Sequence, residues 1–248
     1  MHPDWLVPAW PGLPGVRAFT TTRSGGVSEG EYGSLNLAMS PGDDPVRVAE
    51  NRSRVRACLP SDPRWLRQVH GTAIADLDTL PEGTVAIADG AAVSRPGVVA
   101  AILTADCLPV VLARGDGRRV AVAHAGWRGL AAGVLESAVE SLGGDPAIAQ
   151  AWLGPAIGPQ AFEVGPEVRE AFLAVDGAAA SAFVPGAPGK WHGDLYALAR
   201  QRLARAGVGT VTGGGFCTRT DAARFFSYRR APASGRLGTF AWIAPPAP

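Results

Sequence analysis

The sequence predicts an α/β fold of the α+β type, arranged as a single-domain layered sandwich with mixed sheets. Short apolar runs bounded by turn residues, such as residues 98–103 and 120–123, are typical of buried strands. Segments with apolar residues on one helical face stand between these runs, most clearly at residues 129–142. Strands and helices alternate without one consistent βαβ period, which favours mixed strand directions over a purely parallel sheet.

Composition narrows the class of protein. With 248 residues and 47% hydrophobic content the chain can bury a sizeable core, and we predict one domain over residues 1–248. The formal net charge is +1 without a long basic block, so neither nucleic acid nor a membrane is expected as a partner. Three widely spaced cysteines without a CxxC pair argue against a disulfide framework. Since neither a secretory leader nor an apolar span of about 18 residues is apparent, we expect a cytoplasmic protein.

The first quarter of the chain predicts an extended lead-in, a strand, a loop and a helix. Residues 1–15 are rich in proline and are expected to pack on the body of the protein. The strand covers 16–22, and the polar loop after it carries Arg23 and Asn36, as either a surface wrap or one wall of a site. Asp44 before Pro45 predicts a helix start, because the carboxylate caps the helix and proline fits its first turn.

The rest of the chain follows from the same patterns. Residues 65–69 predict a strand that ends at His70, and the helix that begins at Gly129 is expected to end at Gly143. The segment 177–190 is small and proline-rich, so we predict a mobile insertion there. The other predicted elements are strands at 73–77, 98–103, 109–113, 120–123, 147–153, 208–212 and the start of 225–230, helices at 166–175 and 195–206, and a frayed tail at 244–248.

Two imidazoles and one thiol stand at predicted strand ends, namely His70, Cys107 and His124. Two histidines and one cysteine are a three-ligand set typical of catalytic zinc, with the fourth position left for water or substrate. Copper also suits imidazole and thiolate ligands. A nucleophilic Cys107 with either histidine as its base is a rival use of the same residues. Spacing alone shows neither that the three side chains meet nor which chemistry applies.

The helix predicted after His124 begins with small residues and a guanidinium, in Gly126-Trp-Arg-Gly129. Free N–H groups at a helix start favour anions, but glycines also serve a tight strand-to-helix turn. Both interpretations stay open from the sequence. The motifs of dinucleotide sites, P-loops, HExxH metalloproteases and GxSxG hydrolases are absent, so these classes lose their usual support.

Several unusual motifs resemble those of one protein family, in the same order and over nearly the whole chain. Three of them carry the metal-ligand candidates: Gln68-Val-His-Gly71, Thr104-Ala-Asp-Cys-Leu-Pro109 and Ala123-His-Ala-Gly-Trp-Arg-Gly129. The others are Phe19-Thr-Thr-Thr-Arg-Ser-Gly-Gly-Val27, Ser34-Leu-Asn-Leu37, Gly42-Asp-Asp44, Asn51-Arg52, Gly154-Pro-Ala-Ile-Gly158, Cys217-Thr218 and Phe225-Phe-Ser-Tyr-Arg-Arg230. The chain thus resembles the YfiH family, also called the laccase-domain or multicopper polyphenol oxidoreductase family and the peptidoglycan editing factor family.

The resemblance implies a single-domain α/β sandwich in which His70, Cys107 and His124 bind zinc in a pocket. It also implies phosphorolysis of purine nucleosides (adenosine, inosine, guanosine and methylthioadenosine) with adenosine deaminase activity in the same site. A copper-dependent polyphenol oxidase and a peptidoglycan-precursor editing factor are the alternatives within the family. One departure weakens a multi-copper site, because the family carries a His-Val pair after Leu37 where this chain has Ala38-Met-Ser-Pro41.

Substrate contacts are predicted for polar and cationic residues of these motifs. Phosphate requires cationic or N–H donors, and the candidates are Arg23, Asn36, Arg52, Arg128 and Arg229. Asp106 either orients a metal ligand through a hydrogen bond or caps a turn. The expected partners are therefore a small-molecule nucleoside and phosphate, and the oligomeric state, monomer or homodimer, stays open.

Overall fold

Short strands alternate with helices in a computed structural model that describes residues 1–9, 13, 15–39 and 42–245. The helices are α1 (Pro45–Arg56), α2 (Trp127–Ala132), α3 (Val134–Leu142), α4 (Pro166–Leu173) and α5 (Leu195–Arg205). The strands are β1 (Val16–Thr20), β2 (Pro63–Arg64), β3 (Leu66–Arg67), β4 (Ile74–Asp76), β5 (Ala86–Ile87), β6 (Gly90–Val93), β7 (Val99–Thr104), β8 (Leu108–Ala113), β9 (Val120–Ala125), β10 (Gln150–Leu153), β11 (Glu163–Val164), β12 (Phe183–Pro185), β13 (Trp191–Gly193), β14 (Thr210–Gly213) and β15 (Leu237–Ile243). None of the described helices has the length and apolar character needed to cross a membrane.

Two mixed sheets form the centre of the molecule. The four-stranded sheet has the order β1-β15-β7-β2, with β2 parallel to β7 and the other pairs antiparallel. The six-stranded sheet has the order β14-β10-β8-β9-β6-β4, with parallel pairs at both edges and antiparallel pairs between them. Two small sheets, β11-β13-β12 and β3-β5, accompany them. The predicted α/β fold with mixed sheets is confirmed.

The six-stranded sheet is buried on both faces, because alternate residues of a strand point to opposite sides. In β8, Val110 and Leu112 pack in the core that contains residues of α2 to α5, whereas Val111 and Ala113 pack toward the four-stranded sheet. A strand covered on both sides needs no polar face. This explains the continuous apolar runs that predict strands here.

The second face of the four-stranded sheet is covered by the N-terminal segments. Phe19 of β1 packs with Trp5, Leu35 and Leu37, and Val55 of α1 joins the same core. The layers therefore run from α1 and the N-terminal segments through the four-stranded and six-stranded sheets to α2–α5. Buried apolar side chains of both sheets fill the space between them.

The helix predictions hold, with one correction. Helix α1 begins as expected, with the Asp44 side chain accepting a hydrogen bond from the Val46 N–H. The single helix predicted from Gly129 to Gly143 is instead two helices, and α2 begins earlier, at Trp127. Gly133 separates them with a φ of 110°, a left-handed conformation that glycine adopts readily. Apolar periodicity does not detect this break, because both helices bury the same face.

The C-terminal half departs from the prediction at three places. The predicted mobile insertion 177–190 contains a 3₁₀ helix, Gly177–Ala182, and strand β12, whose Phe183 is buried in the core. Residues 225–227 have no regular secondary structure and residues 228–230 form a turn, so no strand starts here, although Phe225 and Phe226 are fully buried. Strand β15, which the sequence analysis missed, pairs with both β1 and β7 at the centre of its sheet.

The N-terminal lead-in packs on the body where it is described. The Trp5 ring stacks on Phe19 at 4.8 Å between centroids, and Leu6 forms an isolated β-bridge with Thr20. Residues 10–12 and 14 of the lead-in and residues 246–248 of the predicted frayed tail lie outside the described residues.

Candidate functional site

The three candidate metal ligands come from different elements that end at the same edge of the sandwich. Cys107 lies where the chain leaves β7 of one sheet and enters β8 of the other. His124 lies in β9 and pairs with Pro109 of β8, which brings it beside the Cys107 turn. His70 follows β3 with a φ of 60°, an unusual backbone conformation for a residue with a side chain. The predicted approach of these distant residues is therefore found in the fold.

The ligand atoms of His70, Cys107 and His124 lie within 4.8 Å of one another. Cys107 Sγ is 4.0 Å from His70 Nε2, and the two imidazole rings meet edge to face with centroids 4.8 Å apart. In a tetrahedral zinc site with bonds of about 2.0–2.3 Å, neighbouring ligand atoms are about 3.5 Å apart. The donor set therefore fits zinc after movements of about half an ångström, and copper accepts the same donors.

One buried carboxylate, Asp89, organises both imidazoles. Its oxygens accept hydrogen bonds from the backbone N–H groups of Val69, His70 and Gly71 at 3.1, 2.8 and 2.6 Å, and so hold the loop that carries one ligand. Its Oδ1 also lies 2.9 Å from His124 Nδ1, which leaves Nε2 free for a metal. A carboxylate on the far nitrogen of a histidine is the usual way to fix a ligand's tautomer and ring orientation.

The charges in this cluster support one another. Burial alone raises the pKa of Asp89, but the hydrogen bond from His124 and those from the backbone outweigh it and lower the pKa to about 2. Burial likewise raises the pKa of the Cys107 thiol, but the opposing effect of His124 and His70 is larger and lowers this pKa to about 6. Burial lowers the pKa of His124, and the Asp89 and Cys107 partners raise it to about 9. A thiolate at neutral pH is the form that binds metal.

Two glycines allow the cluster to close. A Cβ on Gly126 would stand 2.9 Å from His70 Cδ2 and 3.1 Å from Cys107 Sγ, closer than side chains pack. A Cβ on Gly129 would stand 2.8 Å from the Gly71 carbonyl oxygen. Of the two interpretations left open by the sequence, the structure supports a packing role, because α2 begins directly behind the cluster and has only six residues.

A cavity of about 580 Å³ opens beside the cluster, within the size range of small-molecule sites. Its walls combine the metal-ligand candidates with apolar and aromatic side chains and with three arginines. The lining residues are Ala38, Leu66, Gln68, His70, Leu103, Thr104, Ala105, Asp106, Cys107, His124, Trp127, Arg128, Ile157, Phe162, Leu195, Tyr228, Arg229 and Arg236.

Asp106 contacts this cavity in a way that the sequence did not predict. Its carboxylate accepts hydrogen bonds from the Thr218 and Ser227 hydroxyls at 2.6 and 3.0 Å and from the Arg229 N–H at 2.7 Å. No hydrogen bond joins it to a side chain of His70, Cys107 or His124 in the described part of the chain. Asp106 thus fastens the cavity-lining loop at 228–229 to the Cys107 turn, whereas Asp89 orients the ligands.

Of the predicted phosphate contacts, two line the cavity and three do not. Arg128 and Arg229 are in its wall. Arg23 donates to the carbonyls of Gly33 and Ala222, and Arg52 donates to the Leu37 carbonyl with its guanidinium 4.3 Å from the Trp65 ring. Asn36 is fully buried and hydrogen-bonds to Ala38, Asp43 and Arg236. Arg23, Arg52 and Asn36 therefore hold loops in place rather than face the cavity.

Two cavity-related residues escaped the sequence analysis. Asp89 stands just before β6; the sequence indicates a turn or the mouth of a cleft at Asp89-Gly90, but it does not predict that Asp89 holds the metal ligands. Arg236 directly precedes β15, a strand whose own pattern was overlooked. Recognising β15 would have placed an arginine at a strand end, which is the criterion that singled out His70 and Cys107.

Comparisons with known proteins identify the family of the chain. Residues 17–244 match the family model described as multi-copper polyphenol oxidoreductase laccase. A purine nucleoside phosphorylase of Pseudomonas aeruginosa is 53% identical over 242 residues, covering 96% of this chain and 98% of that protein. The purine nucleoside phosphorylase YfiH of Escherichia coli is 51% identical over 240 residues, with coverage of 96% and 98%.

Solved structures give the same result for the fold. A Neisseria meningitidis protein superposes with a TM-score of 0.93 at 43% identity, covering 98% of this chain and 100% of that one. YlmD of Geobacillus stearothermophilus superposes with a TM-score of 0.87 at 29% identity, covering 99% and 98%. The family model and the similarity to proteins named YfiH both extend over almost the whole chain, and the chain therefore belongs to the YfiH family of laccase-domain proteins.

Proposed function

We propose that this chain is a zinc-dependent purine nucleoside phosphorylase, acting on adenosine, inosine, guanosine and methylthioadenosine, that also deaminates adenosine. One observation carries the proposal: a His-Cys-His metal-ligand set opens into a nucleoside-sized cavity with aromatic and cationic walls. The names of the relatives supply the purine and the phosphorolysis. The expected partners are a nucleoside and inorganic phosphate, and the cytoplasm is the compartment where both occur together.

The cavity walls suit the two halves of a nucleoside reaction. Trp127, Phe162 and Tyr228 offer apolar and aromatic surface for a purine ring. Arg128 and Arg229 offer guanidinium groups for phosphate, which prefers planar paired donors. In phosphorolysis, phosphate oxygen forms a bond to C1′ of the ribose as the bond to the purine nitrogen breaks. The purine takes up the electron pair and then a proton, and ribose 1-phosphate is the other product.

His70, Cys107 and His124 would hold the zinc ion, with Asp89 keeping the His124 ring oriented through Nδ1. When bound, zinc supplies Lewis acidity, which in sites of this kind lowers the pKa of water. Deamination needs that water, because adenosine and water give inosine and ammonia. Of the three ligands His124 is buried, Cys107 is half-buried and His70 is exposed toward solvent. The arginines would bind the phosphate that competes with water for the nucleoside.

A copper-dependent polyphenol oxidase is the second candidate, and the description of the family model favours it. Against it, the chain has four histidines, and His2 and His192 lie outside the one cluster of potential metal ligands found in the described residues. His2 contacts Trp5, and His192 belongs to β13. The cluster has ligands for one metal ion. For the third candidate, editing of peptidoglycan precursors, the residues that line this cavity give no reason to prefer such a precursor to a nucleoside as the substrate.

The experiment is to measure the metal content of purified wild type beside Cys107→Ala, together with phosphate-dependent release of hypoxanthine from inosine. We expect about one zinc per chain, lost in Cys107→Ala, and base release that requires phosphate. Ammonia release from adenosine tests the deaminase activity separately. Copper in place of zinc, with consumption of dioxygen when a phenol is the substrate and no release of purine base, would favour the oxidase. Full base release by a metal-free chain would contradict the zinc requirement.

A further inference from the structure

Arg236 is the guanidinium of the cavity with the clearest need for an anionic partner. Its residue is half-buried, whereas Arg128 and Arg229 are exposed. Within the described ranges no carboxylate lies at ion-pair distance from it, and its guanidinium hydrogen bonds all leave from Nη1, to the carbonyls of Ser234 and Gly235. Nε and Nη2 are left for a ligand.

Burial lowers the pKa of Arg236, and this outweighs the opposing effect of Cys107 and Asp106 nearby. The cost of removing a cation from water must be met by a partner in the folded state. Asp106 does not supply it, since both of its oxygens are occupied by the donors of the 218–229 loop. The Cys107 thiolate is a second negative charge nearby, but it is the ligand assigned to the metal. A further source of negative charge is a molecule in the cavity.

The backbone places Arg236 with a precision that a surface arginine does not need. Its N–H donates to Asn36 Oδ1 at 2.9 Å, and its carbonyl accepts from the Leu37 N–H. The next residue, Leu237, pairs with Thr104 of β7, three residues before Cys107. Arg236 therefore sits at the end of β15, beside the turn that carries the thiol ligand. The buried Asn36, predicted as a substrate contact, acts on the cavity through this arginine.

We propose that Arg236, held by Asn36, binds the phosphate group of the substrate pair at the buried side of the cavity. A tetrahedral oxyanion matches the two free donors of the guanidinium, because adjacent N–H groups of arginine bind two oxygens of one phosphate. Arg128 and Arg229 then bind it from the exposed side. This inference rests on the proposed phosphorylase function and assigns the phosphate to a residue that the family motifs quoted above do not contain.

The test uses the metal-loaded full chain as wild type, Arg236→Met, Arg236→Lys and Arg52→Met. Methionine keeps the length of the side chain and removes charge and donors, while lysine keeps the charge without the planar pair. Arg52→Met is the matched control. Like Arg236, which lies 5.9 Å from the Tyr228 ring, Arg52 is half-buried and contacts a backbone carbonyl and an aromatic ring, but it stands outside the cavity lining. The measurements are the Kd for inorganic phosphate by calorimetry and the KM values for phosphate and inosine.

We expect Arg236→Met to raise the Kd and KM for phosphate about tenfold or more, as for loss of a charge-assisted hydrogen bond. The KM for inosine should stay within about twofold, Arg236→Lys should fall between, and Arg52→Met should match wild type. Unchanged phosphate binding in Arg236→Met overturns the assignment. If Arg236→Met does not fold, as judged by circular dichroism and zinc content, wild-type phosphate affinity in Arg236→Lys overturns it instead.

The outcomes also separate this inference from the proposed function. Phosphate binding that Arg236→Met loses, in a wild type that releases no purine base, would support the phosphate site and contradict the phosphorylase. Phosphate-dependent base release in both proteins, with the same KM for phosphate in Arg236→Met as in wild type, would support the phosphorylase and contradict the phosphate site at Arg236.

Discussion

Replacing Asp89 with asparagine is expected to weaken the metal site, although Asp89 is not itself one of the three candidate metal ligands. The carboxylate divides four donors between its two oxygens. Oδ1 serves the His70 N–H and His124 Nδ1, and Oδ2 serves the N–H groups of Val69 and Gly71. Asparagine has one oxygen, so its amino group must face one of these two pairs.

Either orientation of the new amide has a cost. Facing Val69 and Gly71, the amino group opposes two backbone N–H groups that cannot accept, and each buried unpaired donor costs about 1–3 kcal/mol. Facing His124, it favours the tautomer in which Nδ1 accepts, which places the ring proton on Nε2, where the metal would bind. With two unpaired donors, the first orientation should lower the free energy of unfolding by about 2–6 kcal/mol. The second should lower zinc affinity by about 10–100-fold, and a mixture of orientations should show some of both effects.

The assay is zinc affinity by competition with a chelator, together with chemical unfolding of the metal-free chain. Asp78→Asn is the matched control. That carboxylate accepts hydrogen bonds from Ser94, from the Arg95 N–H and from the Arg119 guanidinium, away from the cavity. It should lower stability and leave zinc affinity unchanged. Zinc affinity in Asp89→Asn within twofold of wild type, together with an unchanged free energy of unfolding, would refute the reasoning that Asp89 orients the ligands.

The same carboxylate gives a pH dependence with a definite sign. Its folded-state pKa, about 2, lies below the value of an unfolded aspartate. The stabilisation is therefore complete above the unfolded pKa of about 4, and it disappears as the pH falls toward 2. In the metal-free chain, the stability difference between wild type and Asp89→Asn should shrink over that interval. A difference that stays constant from pH 5 to pH 2 would show that the charge of Asp89 does not stabilise the fold.

Three further predictions concern the same edge of the sandwich. Gly126→Ala should reduce zinc affinity at least tenfold with the fold retained, because the added Cβ meets His70 and Cys107; normal zinc binding would contradict the packing role. Asp106→Asn should lower the free energy of unfolding by about 1–3 kcal/mol and raise the KM for phosphate severalfold at unchanged zinc content, because it loosens the loop of Arg229. An unchanged KM would show that Asp106 contributes to stability and not to phosphate binding. In the metal-free chain, alkylation of Cys107 should reach half its maximum rate near pH 6 and stop when zinc is added, as followed by peptide mass spectrometry; a midpoint above pH 8 would contradict the effect of the imidazoles.

The sequence predicts the fold class and the three ligands because both depend on local signals. Buried strands are apolar runs whatever they pair with, and His70, Cys107 and His124 each interrupt or end such a run. The motifs of the family then join them into one site. The local pattern does not show which strands pair with one another, and β15 is an example. This strand lies between β1 and β7, more than 130 residues from the nearer of them, and no periodicity in its neighbourhood indicates those partners.

The arginines show why side-chain roles are harder to predict than ligands. A guanidinium has five donors and can satisfy them on backbone carbonyls as readily as on phosphate. Arg23 and Arg52 do the former, and their sequence context looks no different from that of Arg229. A histidine or cysteine offers one metal-binding atom in a small range of geometries, so its place at a strand end says more. Only the tertiary structure shows which arginine retains donors without a partner.

Asn36 and Arg236 together suggest how this edge of the protein is built. The family motif that contains Asn36 is in the N-terminal third of the chain, and Arg236 is near its end, yet a hydrogen bond joins them beside the start of β15. The same asparagine binds Asp43 and the backbone of Ala38, which lines the cavity. A buried polar side chain with all its groups satisfied costs little and fixes one arrangement. Asn36 is thus best understood as setting the distance between the N-terminal loop and the phosphate-binding arginine, so that its effect on substrate would pass through Arg236 and through the Ala38 wall of the cavity.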